Sequence, residues 1–147
     1  MKTIFFVLAI FFFTNCTKQR NVPDRLSKFL TMQLSRQDSI IRFTEFSDVV
    51  WTKLYVLTPY TGEAQFNDEL TIYKDDILRT GIKELDDRNV LVLFNNNTLV
   101  SISIVPRTEV DFSKARKVVA GETSFYTKAD AIFNVRIEDN RLVVVKP

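Results

Sequence analysis

The sequence predicts an α+β domain: a mostly antiparallel sheet of about five strands with one or two packed helices, after an N-terminal signal segment. Two apolar stretches, residues 90–105 and 132–146, are each folded back by an asparagine-bearing turn and read as hairpins. Near the start of the chain Leu26, Phe29, Leu30 and Leu34 fall at helical spacing. Helical signals collect in the first half and hairpins in the second, the segregation that goes with an α+β arrangement.

The elements follow in order. Asp24 reads as the N-cap of the first helix, its carboxylate accepting from free N–H groups. The charged Arg25, Lys28 and Arg36 lie mostly off the apolar face, so that face packs on the sheet. Residues 39–46 alternate moderately and predict a strand. Residues 51–57 alternate better, with Trp51, Lys53, Tyr55 and Leu57 on one face and Thr52, Leu54 and Val56 on the other; Pro59 ends the run. Thr61 reads as the N-cap of a short helix with Glu63 near its positive end and Phe66 and Leu70 as its apolar contact. Residues 72–87 are charged, contain Gly81 and predict loops with a short strand.

The second half is clearer. Residues 90–94 form a buried strand, and residues 95–97 turn it, since asparagine tolerates the left-handed conformation. Residues 99–105 return with Val100, Ile102 and Ile104 on one face and Ser101 and Ser103 on the other, as far as Pro106. Residues 107–123 predict a charged loop and residues 127–130 one helical turn. Residues 132–137 predict a strand with Phe133, Val135 and Ile137 inward; Asp139-Asn140 is the hairpin turn and residues 141–146 the last strand.

Composition narrows the chemistry. The 147 residues carry a formal charge of +2, which is no footprint for nucleic acid. Histidine is absent, and the one cysteine is Cys16. Ser-His-Asp, Cys-His and histidine–zinc chemistries are therefore excluded, leaving carboxylate, lysine, tyrosine or arginine chemistry for any enzyme. Three glycines make no phosphate loop. No cofactor and no metal site is expected.

The first sixteen residues hold Lys2, an unbroken apolar run at residues 4–13, then Thr14, Asn15 and Cys16. Ten helical residues span about 15 Å, half of a bilayer's hydrocarbon core, so the run suits a cleaved leader rather than a membrane-spanning helix. Phe13-Thr14-Asn15-Cys16 resembles the lipobox of bacterial lipoproteins, with Phe13 where leucine and Asn15 where a small residue is usual. The resemblance implies a leader at residues 1–15, a diacylglyceryl group on Cys16, a tether over residues 16–23 and a single domain over residues 24–147. The alternative is a secreted protein cut elsewhere, with Cys16 incidental. Thr17 in place of aspartate implies the outer rather than the inner membrane, if the host is Gram-negative.

A second resemblance covers much of residues 43–135. Trp51-Thr52-Lys53-Leu54-Tyr55-Val56 with Pro59-Tyr60-Thr61 is similar to a W-D-K-L-Y-V-x-x-P-Y-T segment of small uncharacterised bacterial envelope lipoproteins. Thr52 departs from the aspartate usual there. The resemblance implies fold and envelope location and no activity.

Trp51, Tyr55 and Tyr60 are the candidate partner-binding residues, since large aromatics with a polar tip anchor interfaces. Placement in the core, with Tyr60 at a strand–helix corner, is the reading that strand spacing favours. Asp68, Glu69, Asp75, Asp76, Asp86 and Asp87 offer carboxylates, but without the spacing of a calcium loop they read as solvated turns. The expected function is thus a lipid-anchored, non-enzymatic binding or structural module of the cell envelope, held to the membrane through Cys16 and meeting an envelope protein. A periplasmic inhibitor or ligand sensor and a carboxylate-dependent cell-wall glycan enzyme are the alternatives.

Overall fold

The computed structural model describes residues 22–36 and 39–146. The leader, Cys16 and most of the tether lie outside them. Along the described chain run α1 (Val22–Leu34), β1 (Ile40–Arg42), β2 (Lys53–Leu57), α2 (Asp68–Ile72), α3 (Lys74–Leu78), β3 (Arg88–Asn95), β4 (Thr98–Pro106), β5 (Asp111–Lys114), β6 (Val118–Val119), β7 (Glu122–Thr123), β8 (Phe125–Thr127), β9 (Ile132–Glu138) and β10 (Arg141–Val145). The chain is α+β and mostly antiparallel, but among the described residues its strands outnumber the expected five, its three α-helices the expected one or two, and the strands make two four-stranded sheets and a ribbon.

One sheet has the order β1-β9-β10-β5 and the other β4-β3-β2-β8; β6 and β7 form the ribbon. Both predicted hairpins are present. Asn95 pairs with Thr98 around Asn96, which has φ 52°, and Glu138 pairs with Arg141 around Asp139 and Asn140, with φ 48° and 61°. Positive φ at both central residues gives the second turn the twist that suits a two-residue hairpin.

The larger core lies between the two sheets. Ile41, Phe112, Phe133 and Val144 meet Leu54, Val56, Leu91, Leu93 and Val105, with Leu26, Phe29 and Leu30 of α1 closing one side. Phe43 is its hub, with ring centres 5.6 Å from Phe29, 6.3 Å from Phe112 and 5.8 Å from Phe133. The smaller core lies on the other face of the β4-β3-β2-β8 sheet, where Tyr55, Leu57, Val90, Val92 and Phe94 pack against Phe66, Leu70 and Ile77. β3 is therefore buried on both faces, which explains its unbroken apolar sequence.

Several local expectations are corrected. α1 begins at Val22, so Pro23 sits in its first turn, where a missing N–H costs nothing, and Asp24 lies inside the helix rather than before it. Only Ile40–Arg42 of the predicted 39–46 strand pairs; the chain then turns through residues 43–45 and drives Phe43 into the core. Trp51 precedes β2 and packs in the larger core, opposite to Tyr55. The shared face fails because Thr52, bent ahead of the strand, bonds from its N–H to Phe94 O at 2.7 Å. Thr61 is no helix cap: its buried hydroxyl donates to Thr58 O at 2.7 Å, and Asn67 caps α2 instead. Residues 72–87 hold α3 and turns.

A bulge at Val100 splits the face expected for β4, placing Val100 toward the larger core and Ile102 toward the smaller one. Ser101 and Ser103 are buried instead, their hydroxyls 3.0 Å apart. The predicted 107–123 loop contains β5, which buries Phe112 and makes the one parallel pairing, with β10, among the described residues. Residues 125–127 are strand, and the turn predicted at 127–130 follows it, Ala131 N–H donating to Thr127 O. Ile137, expected inward, is instead 76% exposed, near the hairpin end of β9.

Two polar groups in this core make opposite contributions. Arg107 donates twice to Asp111 Oδ2, at 3.0 and 2.7 Å, and once to Asp86 O at 2.8 Å, closing the β4–β5 connection onto the 86–87 turn. Burial pushes the Asp111 carboxyl up, but Arg107 and the Ser113 N–H outweigh it and hold the group below its ordinary value. Such a group stabilises the fold above its unfolded pKa of about 3.9 and loses that contribution as pH falls through the lower folded value. Arg107→Ala is expected to cost about 2 kcal/mol at pH 7 by stranding a buried carboxylate, with the gap to wild type narrowing below about pH 4 in urea titrations. Asn89, by contrast, is fully buried in β3 with neither side-chain polar atom bonded among the described residues. Asn89→Val removes that desolvation cost and suits a strand, so we expect the urea midpoint to rise, by about 1 kcal/mol in unfolding free energy.

Candidate functional site

Lys53 and Tyr55 leave the same face of β2, as their spacing of two predicts. They emerge where the short α2 ends its cover of the sheet. There, with Asn67, Asp68, Glu69 and Ile72 from the α2 segment, Asn97 from the hairpin turn, Glu122 from β7 and Phe125 from β8, they line an open hollow of about 430 Å³.

Its floor is a connected set of bonds. Tyr55 Oη donates to Glu69 Oε2 at 2.5 Å, and Lys53 Nζ sits 2.9 Å from Glu69 Oε1. The same ammonium donates to Asn97 Oδ1 at 3.2 Å and lies 5.1 Å from the Phe125 ring centre. Asn67 Nδ2 donates to Tyr55 Oη at 2.9 Å, while its Oδ1 accepts from Leu70 N at 3.0 Å as the cap of α2. One asparagine thus fixes both the helix start and the phenol. The Tyr55 ring is wedged between Phe94 and Phe125, 5.6 and 5.7 Å away between centres.

Burial raises the Tyr55 phenol well above its ordinary value; the Glu69 carboxylate adds to this, and the Asn67 bond opposes it. The phenol is a fixed donor at neutral pH. Both Glu69 oxygens have partners, so the carboxylate is a positioned acceptor.

The three aromatics expected to bind a partner do not form one strip. Trp51 is 2% exposed and donates through Nε1 to Phe46 O at 2.9 Å. Tyr55 has a buried ring and a hydroxyl in the hollow. Tyr60 is 63% exposed and has φ 64°, unusual for a bulky residue, with its N–H bonded to Ile82 O at 2.8 Å. Lys53, Asn67, Asn97, Glu122 and Phe125 escaped notice in the sequence as site residues. Two signals were readable, Asn67 three residues before Leu70 as an N-cap and Lys53 two residues from Tyr55 on one strand face; the remaining convergence is tertiary. Among the described residues no three acidic side chains are grouped to hold a metal, and no helix is long and apolar enough to cross a membrane. Compared with family models, curated proteins and solved structures, the chain finds no match.

Tyr55→Phe leaves Glu69 and Asn67 each short of a partner and is expected to cost about 1–2 kcal/mol in urea unfolding. Burial, then the Asp130 charge, also pushes the Tyr126 phenol up to about 12. Unfolded phenols ionise near 10, so both tyrosines stabilise the fold fully below that pH and lose the effect as pH rises toward their folded values. Stability should fall between about pH 10 and 12, and less steeply in Tyr126→Phe, when denaturation midpoints are compared across that range.

Proposed function

We propose that the chain is a lipid-anchored module of the bacterial cell envelope that binds a protein partner without catalysing a reaction, and that the hollow beside β2 and β8 is its recognition surface. The bonded set at the floor carries the binding half of this reading. A carboxylate held by a phenol and an ammonium presents a rigid polar surface to a partner. Location rests on the leader and on Cys16, the only thiol in the chain. Stable membrane attachment needs more than one acyl chain, and a diacylglyceryl group supplies two. The hollow, with its convergent polar groups, also favours a second reading, a periplasmic inhibitor or ligand sensor.

Mass spectrometry of the native protein extracted from bacterial membranes tests the location. The expected species begins at Cys16 and carries the mass of a diacylglyceryl group, and Cys16→Ser moves the protein to the soluble fraction. An intact Met1 start, or a trimmed chain with a bare thiol, refutes the anchor. Co-purification from wild-type membranes of a partner that Tyr55→Phe no longer retains supports the hollow as the surface; undiminished retention refutes it.

A further inference from the structure

We infer that the hollow receives a basic, extended segment of the partner protein, with a lysine or arginine side chain seated against Asp68 and Glu122. This rests on the binding-module reading and names the chemistry of its partner. Three carboxylates, Asp68, Glu69 and Glu122, line the hollow against the single ammonium of Lys53. The chain as a whole carries +2, so the hollow is a local reversal of sign. Lys53 is already neutralised by Glu69 at 2.9 Å. Asp68 and Glu122 are exposed and form no ion pair or hydrogen bond among the described residues through their side chains. An anion entering here meets both charges at close range, whereas an ammonium or guanidinium is drawn in.

The apolar parts fit the same guest. Phe125 already carries one ammonium over its ring, and a second cation with a methylene stem has Ile72 to lie along. Ile72 is 74% exposed, and Val119, paired across the ribbon with Glu122 and hence on the same ribbon face, is 59% exposed. A small free cation leaves these two side chains in water; an extended chain whose basic residues alternate with apolar ones covers them as well. That comparison selects a protein segment.

The test uses the full acylated chain in detergent and two labelled probes, an alternating Lys–Val peptide and its Glu–Val counterpart, followed by fluorescence anisotropy. The Lys–Val peptide is expected to bind, and more weakly as salt rises; the Glu–Val peptide is not. Asp68→Asn combined with Glu122→Gln should weaken binding by about 5-fold or more, on the scale of two exposed charge pairs, with an unchanged melting temperature. Ile72→Ser should weaken it further. Equal binding of the two peptides, undiminished binding by the double variant, or lysine amide competing as well as the whole peptide overturns the proposal. Such a failure leaves the anchored-module reading standing, since that is decided by the mass at Cys16; a bare Cys16 with peptide binding retained removes the anchor and keeps the hollow.

Discussion

Burial of β2 and β3 on both faces is the constraint on which the rest of the structure depends. Each successive side chain of β3 enters a different core, Leu91 and Leu93 the one between the sheets and Val90, Val92 and Phe94 the one beneath α2 and α3. A slip of one residue exchanges the two sets, so the register is fixed from both sides. Polar groups on these strands must then find partners within the fold. On the neighbouring β4, Ser101 and Ser103 do so with each other, whereas Asn89 of β3 does not among the described residues.

A sandwich of two open sheets leaves edges, and α1 covers two of them by packing on both β1 and β4. The buried Gln33 makes this cover specific. Its Oε1 accepts from the Arg42 N–H at 3.2 Å, and its Nε2 donates to Glu45 at 3.0 Å. A helix side chain thereby satisfies a β1 donor, and Phe43 follows at once into the interior. The short β1 and the abrupt turn after it accompany one outcome: the rings of Phe43 and Phe46 both reach the larger core.

Those elements that local rules decide were legible in the sequence. The 90–105 and 132–146 hairpins rest on asparagine and aspartate turns and on apolar runs, and α1 rests on its spacing. What was not legible depends on tertiary packing. Residues 107–123 look like a charged loop because β5 exposes Lys114 while burying Asp111 against Arg107, a pairing that only the fold supplies. Trp51 shares a period with Tyr55 in the sequence, but the bend at Thr52 breaks the period and sends the two rings to different cores. Of the candidate site, Lys53 and Tyr55 were readable as neighbours on one strand face. Glu69, Asn97 and Glu122 come from distant segments, and no spacing announces that they meet.

The hollow follows from the same constraint that fixes the cores. The outer face of the β4-β3-β2-β8 sheet is covered by α2 and α3, each of only five residues, and that cover runs out beside β2 and β8. A purely apolar face there would be left in water, so β2 places an ammonium and a phenolic hydroxyl at that margin, and α2 brings the carboxylate that binds both. The position has a directional consequence. Pro23, in the first turn of α1, shares a recess with Leu99 and Ile102 of β4, at the opposite edge of the same sheet from β8. Three strand spacings of about 4.8 Å separate those edges. The start of α1 and the polar hollow therefore lie at opposite edges of one sheet, held apart by the two central strands whose burial fixes both cores.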